Sequence, residues 1–379
     1  MTFLLFAAGG VLVVAAFHLV AGWMVSNALL RRVFLVHPPP KDLTVRVREV
    51  GPDRIVLESS LARQDIGHPG TIGLAWDGGY AQVGEVVDVV RARVTRRILA
   101  LRGTPPVCTG PLEGCPPVEL DPYAFPSDPG DVGLAFEETS YRSPLGEMGA
   151  WLVPAGSGDR WAIHCHGWTA ERREFLRMLP AFHRSGVTSM VIDYRNDPGR
   201  PIDPSGRYRF GLAEWEDLEG AVRTALDQGA TDLTLSGCST GGALVMAFLE
   251  RSELAEEVSR LVLDAPNIVL AETVRLGTRE ERATPLMVEL GMWIADLRWR
   301  VDWESTDYVQ RASHFLTIPA LVFHGTSDHV VPIAVSRRLE ALVPDLVELV
   351  ETQAAGHVMS WNADPARYEA RVEAFLRRS

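Results

Sequence analysis

The feature that most restricts the fold is a short glycine-rich turn. Gly237-Cys238-Ser239-Thr240-Gly241-Gly242 stands between the apolar run Leu233-Thr234-Leu235 and a helical pattern that opens at Ala243. A glycine-x-serine-x-glycine pentapeptide occurs often by chance and says little alone. Between a strand and a helix it describes a nucleophile elbow, a sharp turn that lifts a serine above the end of a sheet. Residues two positions either side of the serine must lack side chains for strand and helix to approach. The following residue, Thr240, then directs its backbone N–H to where an oxyanion would develop.

The surrounding pattern agrees. From about residue 132, short apolar runs alternate with helical stretches, the grammar of a mainly parallel sheet with helices on both faces. The runs are Ala150–Val153, Trp161–His164, Thr188–Ile192, Leu233–Leu235, Arg260–Leu263 and Ala320–Phe323. Leu212–Leu226 and Ala243–Leu249 are helical, and a last helix opens at Asp364-Pro365, an N-cap followed by proline at the first helical position. More than fifty residues separate Asp264 from Pro319, too many for a simple crossover. A mostly helical insertion is expected there. It carries Met287, Met292, Trp293, Trp299 and Trp303, which suit either the insertion's own core or the lining of an apolar pocket.

A serine is nucleophilic near neutral pH only beside a base, and the base needs an orienting carboxylate. Asp328 follows the strand ending at Phe323, and His357 follows the apolar run Leu346–Val350. Both therefore fall in loops on the sheet edge that carries Ser239. Their chain order, serine then aspartate then histidine, is the one that accompanies this elbow. Asp264 also ends a strand and is the alternative acid. Asp328 is preferred because its loop directly precedes that of the histidine. The second oxyanion donor is expected from the loop His166-Gly167-Trp168-Thr169, at the backbone N–H of Trp168. His164 and His166 lack a third ligand at metal spacing, so no metal site is read. Cys165 and Cys238 read as small buried fillers, with thiol sensitivity at Cys238 as the alternative.

Together the elbow at Ser239, the His166-Gly167 loop, Asp328 and His357 resemble the α/β-hydrolase superfamily. Within it the chain looks like bacterial membrane-anchored serine hydrolases of the esterase and prolyl-oligopeptidase-like branch. The resemblance covers roughly residues 132–379 and is specific for the superfamily rather than the substrate. It implies an α/β-hydrolase fold with a mostly parallel eight-stranded sheet, and a cap formed by the insertion at about 267–317. It also implies acyl-enzyme chemistry without a cofactor, with Ser239, His357 and Asp328 as nucleophile, base and orienting acid, and Thr240 and Trp168 as oxyanion donors. The expected substrate is a small or lipid-like carboxylic ester or thioester with a hydrophobic acyl group, held by Met292, Trp293 and Trp299. A serine peptidase on the same triad and a non-catalytic binding protein that has kept the fold are the competing readings.

The N-terminal part lies outside that resemblance. Thr2 to Leu30 contain no Asp, Glu, Lys or Arg, and the run closes on Arg31-Arg32. A bilayer core takes roughly 20 apolar residues in a helix, and no basic n-region marks a cleaved signal. Residues 1–32 therefore read as an uncleaved single-span transmembrane anchor. Arg31, Arg32, Lys41, Arg46 and Arg48 follow the span, which by the positive-inside rule puts the catalytic domain in the cytoplasm. Cys108 and Cys115 pull the other way, since a disulfide between them implies an oxidising compartment, whereas two free thiols do not.

His37-Pro38-Pro39-Pro40 reads as a stiff spacer. Period-two alternation over 42–102, with a hairpin signal at Asp77-Gly78-Gly79, marks a small β-rich module. Residues 103–130 read as a Pro/Gly-rich linker. The expected division is thus 1–32 anchor, 33–130 module and linker, and 131–379 catalytic domain. Hydrophobic residues at 46% and charged residues at 23% supply a globular core. Acidic residues outnumber basic ones by 49 to 37, a net charge of −12 that repels phosphate backbones and argues against a nucleic-acid partner.

Overall fold

The computed structural model describes residues 2–36, 45–59, 66–280 and 283–378. The spacer expected at His37–Pro40 lies outside the described residues. Two sheets organise the chain. The first has strands β1 (Val45–Val50), β2 (Arg54–Ser59), β3 (Ile72–Trp76), β4 (Gly79–Val90), β5 (Arg93–Arg102) and β6 (Glu119–Asp121), in the order β1-β2-β5-β4-β3-β6. Alternation buries one face of these strands, including Val45, Val47, Ile55, Leu57, Ile72 and Leu74. Trp76 pairs with Gly79 across the tight turn, where Gly78 takes a φ of +78°. The segment read as a linker is partly structured. Leu120 in β6 pairs with Leu74 in β3, and a disulfide joins Cys108 to Cys115. A Pro-rich stretch hides a strand of three residues because so short an element leaves almost no periodicity to read.

The second sheet has β7 (Glu137–Ser143), β8 (Gly146–Val153), β9 (Arg160–Cys165), β10 (Thr188–Ile192), β11 (Asp232–Cys238), β12 (Val258–Asp264), β13 (Ala320–Gly325) and β14 (Val347–Thr352). Their order is β14-β13-β12-β11-β9-β10-β8-β7. The pairs from β10 across to β14 are parallel, and β8 runs antiparallel to both β10 and β7. The helices are α1 (Thr2–Leu29), α2 (Leu179–Arg184), α3 (Trp215–Asp227), α4 (Thr240–Arg251), α5 (Leu270–Glu280), α6 (Pro285–Trp299), α7 (Ala312–Phe315), α8 (Ile333–Leu342), α9 (Ser360–Ala363) and α10 (Pro365–Leu376). Leu218 and Val222 of α3, Leu244 and Phe248 of α4 and Leu339 of α8 fill one face of the sheet. Phe182 of α2 and Val372 and Phe375 of α10 fill the other. After β9 the chain passes to β10 on one side and later to β11 on the other. That reversal opens a crevice at the carboxyl ends of the strands, where ligands bind in open α/β sheets.

The N-terminal run has a different use from the one expected. A Cβ on Gly22 would stand 2.9 Å from Leu290 Cβ, and one on Gly291 would stand 2.5 Å from Val25 Cγ1, so α1 and α6 cross backbone to backbone. The Arg298 guanidinium lies 3.6 Å over the Trp23 ring and donates to Asn27 Oδ1 at 2.9 Å. Leu29 and Phe34 are buried with Met292, Ala295 and Val301. Among the described residues, no helix is long and apolar enough to cross a membrane. This overturns the single-span anchor, and the membrane partner and cytoplasmic orientation that rested on it fall with it. The part of the run from Gly22 to Leu29 packs within the chain, on α6, while Phe17, Val20 and Met24 stay exposed. Gly291→Val should therefore lower stability by about 1–3 kcal/mol through overpacking at the crossing. Chemical denaturation would read this as a lower midpoint, and an unchanged midpoint would show that the crossing is loose.

Candidate active site

Ser239 links the end of β11 to the start of α4 with φ 49° and ψ −117°, a conformation that non-glycine residues avoid. Hydrogen bonds hold it. Ser239 N donates to Asp264 O at 3.0 Å, and Ser239 O accepts from Gly242 N at 3.0 Å and Asn267 N at 2.8 Å. The flanking glycines have a steric reason. A Cβ on Gly237 would lie 2.5 Å from the Gly241 carbonyl carbon, and one on Gly241 only 1.9 Å from Cys165 O.

His357 and Asp328 come to this serine from the loops after β14 and β13. His357 Nε2 is 2.8 Å from Ser239 Oγ, and His357 Nδ1 is 2.8 Å from Asp328 Oδ2. A carboxylate only accepts, so Nδ1 carries the proton and Nε2 is left to accept from the serine hydroxyl. Asp328 Oδ1 also accepts from the N–H groups of Val330 and Val331, each at 2.8 Å. Burial works against the Asp328 charge, but His357 and His324 overcome it and hold the carboxyl well below its ordinary range. Burial likewise disfavours charge on His357, and the Asp328 carboxylate outweighs that, so its pKa stands above the ordinary 6.5.

Asp264, the alternative acid, ends the neighbouring strand β12 and is 1% exposed. Neither of its carboxylate oxygens has a hydrogen-bond partner among the described residues. Burial pushes its pKa up to about 7. The two candidate acids are thus separated by hydrogen bonding rather than by depth.

The loop after β9 runs beside the serine, since a Cβ on Gly167 would stand 3.2 Å from Ser239 Cβ. Gly167 N donates to Glu174 Oε2 at 2.7 Å, and the Tyr194 hydroxyl donates to His166 O at 2.9 Å. His166 stacks on Tyr194 and faces Asp197 Oδ2 at 2.9 Å. Burial opposes charge on His166, but Asp197 raises its pKa to about 9. This framework fixes the turn that carries Trp168. Thr240 heads α4, where a backbone N–H has no intrahelical acceptor. Glu174, Asp197 and Tyr194 escaped the sequence reading because nothing in their spacing ties them to the serine.

A family model described as alpha/beta hydrolase fold matches residues 287–364, and another, described as a domain of unknown function, matches 46–109. An uncharacterized protein of Mycobacterium tuberculosis is 26% identical over 230 residues, which is 59% of this chain and 71% of the relative. Among solved structures, an esterase of Pyrococcus furiosus superposes with a TM-score of 0.52 at 20% identity, covering 67% of this chain and 94% of the esterase. The chain has the α/β-hydrolase fold.

Beside Ser239 and His357 the chain has a cavity of about 1220 Å³. One wall comes from the β-rich module, with Ile72, Tyr80 and Tyr123, and the other from the hydrolase sheet's loops, with Trp168, Arg173 and Met359. Met292, Trp293 and Trp299, expected to hold the substrate, do not line it. Met292 is buried against Leu29 and Phe34, Trp299 packs on the same cluster, and Trp293 is 55% exposed. The physical reason is the α1–α6 crossing, which takes up the apolar side of α6.

Among the described residues one group has metal-ligand spacing, His166, Asp193 and Asp197. Arg172 and Arg200 already neutralise Asp193 at 3.0 and 2.7 Å, so the group is an ion-pair network. The Cys165 and Cys238 side chains are buried, and burial pushes both thiols up, away from the reactive thiolate.

Two outcomes follow from this geometry. Gly241→Ala should cost about 3 kcal/mol or more, since a methyl group would meet a backbone carbonyl with no room to retreat; a midpoint within error of wild type would contradict the approach. For Asp264, a pKa raised from 3.8 to about 7 means that the folded chain keeps a proton which the unfolded chain releases. Stability from this group is complete below pH 4 and is lost as pH rises toward 7. Asp264→Asn should therefore raise the melting temperature relative to wild type more at pH 8 than at pH 4. An equal offset at both values would show that the carboxylate is already ionised in the fold.

Proposed function

We propose that this chain is a serine hydrolase that cleaves carboxylic esters through an acyl-enzyme. The observation that carries the reading is the unbroken line Ser239 Oγ–His357 Nε2 and His357 Nδ1–Asp328 Oδ2, both at 2.8 Å, beside a large cavity. His357 takes the hydroxyl proton as Ser239 Oγ attacks the acyl carbon, and Asp328 stabilises the imidazolium that forms. The backbone N–H groups of Thr240 and Trp168 receive the oxyanion of the tetrahedral intermediate. As it collapses, His357 returns the proton to the departing alcohol. Water, with its proton taken by His357, then releases the acid and restores Ser239.

Ile72, Trp168 and Met359 give the cavity apolar walls, which favour a hydrophobic acyl group, as ester or thioester. A peptidase that grips a free N-terminus needs an unspent carboxylate in the cavity. All four carboxylates lining it are engaged: Asp121 accepts from Tyr80 and Arg173, Glu171 from Arg173 and Glu174 from Gly167, and Glu119 too has a partner, which favours the ester.

A fluorophosphonate probe tests the nucleophile. Wild type should label, while Ser239→Ala and His357→Ala should not, and an unlabelled wild type would return the chain to the class of inert binding folds. On esters of graded chain length, KM should fall as the acyl chain grows. Asp328→Asn should lower kcat by about 10⁴, as loss of the orienting acid does elsewhere. Since only neutral His357 can act as base, kcat/KM should rise with pH along a limb centred above 6.5. A limb centred well below that value would mean that Asp328 does not support the histidine.

A further inference from the structure

We propose that the β-rich module is a working part of the active site, in which the loop 66–70 holds the segment carrying His357 through His68. The inference rests on the serine-hydrolase reading above and adds a positioning residue from outside the hydrolase sheet.

The segment around His357 belongs physically to the module. Ala355 and Met359, two residues before and two after the histidine, are buried in one apolar cluster with Val47, Ile66 and Ile72. Gly356, immediately before the histidine, donates its backbone N–H to His68 Nε2 at 2.9 Å. The approach needs a glycine, because a Cβ on Gly356 would stand 2.7 Å from that nitrogen. Farther on, Thr71 N donates to Asn362 O at 2.8 Å, and Asn362 Nδ2 returns a bond to Thr71 O at 2.6 Å. His357 therefore sits between two attachments to a single module loop.

That loop is itself rigidly held. Arg96 of β5 is fully buried, and its guanidinium donates to the carbonyls of Ile66 at 2.9 Å, His68 at 2.8 Å, Gly70, and Gly84 at 2.7 Å. Five donors in a fixed fork match a turn whose carbonyls converge, which a flexible lysine would not do. The order of support runs from Arg96 to the 66–70 turn, from His68 to Gly356, and so to the imidazole facing Ser239. Gly67, His68 and Pro69 also line the cavity, so substrate binds between the module and the hydrolase sheet. His68 is a positioning residue, acting through the Gly356 amide.

The test compares wild type, His68→Ala and His68→Gln in the full chain, with fluorophosphonate labelling rates, steady-state kinetics on a short-chain ester and melting temperatures. Misplacement of a catalytic group by about 1 Å can cost about 10²-fold, so His68→Ala should lose roughly 10- to 100-fold in kcat and labelling rate, with KM changed far less. His68→Gln, whose Oε1 can accept from Gly356, should recover most of the loss. Wild-type kcat in His68→Ala, or equal impairment of the alanine and glutamine variants, would overturn the proposal. Hydrogen exchange on the intact wild type needs no variant, and there the Gly356 amide should exchange slowly. Fast exchange at that amide would overturn the attachment even if every variant misfolded. If wild type fails to label, the serine-hydrolase reading fails, while slow exchange at Gly356 would still report the attachment.

Discussion

The contact on which the rest of this structure depends is between the first turn of α4 and the end of β9. With Gly241 against the Cys165 carbonyl, there is no space for even a methyl group. The contact does two things at once. It forces Ser239 into a φ of 49°, and it sets the loop that begins at His166 directly beside that serine. Backbone strain of this kind costs on the order of 1–3 kcal/mol and survives only where the surroundings over-determine it. Here three backbone hydrogen bonds, to Asp264, Gly242 and Asn267, pin the residue on both its N–H and its carbonyl. The direction of Ser239 and the position of the loop at His166 are therefore one constraint rather than two.

Electrostatics then discriminates between two acids that the sheet presents side by side. Asp264 ends β12, Asp328 follows the adjacent β13, and both carboxyl side chains are buried. Asp328 collects two backbone N–H groups and an imidazole, so its charge is compensated and it can in turn orient His357. Among the described residues neither Asp264 oxygen has a well-formed hydrogen bond, and desolvation keeps it near neutrality instead. A carboxylate without donors cannot fix a neighbour's tautomer, however close it lies.

Much of this was legible in the sequence, for a definable reason. The elbow, the strand runs and the loops bearing Asp328 and His357 are signalled by short spacings, and the parallel sheet carries those spacings to one edge. What escaped depends on which surfaces meet. The apolar run before Arg31 and the Trp- and Met-rich helix Pro285–Trp299 each announce a buried face without naming the partner, and they bury against one another. Read singly, one resembled a membrane span and the other a pocket wall. The cavity's actual wall, with Ile72, Tyr80 and Tyr123, comes from residues far from Ser239 in sequence, in a module whose period-two pattern carries no chemical signature.

This division has a mechanical consequence. Ser239 and the His166–Trp168 loop are fixed within the hydrolase sheet by β9, β11 and β12. His357, by contrast, stands where two apolar cores meet, its flanking residues buried with the strands of the other sheet. The hydrogen bond between Ser239 and His357 is therefore kept only when the two cores are in register. A serine held by a strained turn has little freedom to follow a base that drifts, so the tolerance must come from the histidine side. The buried Arg96, with four carbonyls gathered around one guanidinium, removes that freedom at its source: it stiffens the loop on which the histidine segment leans.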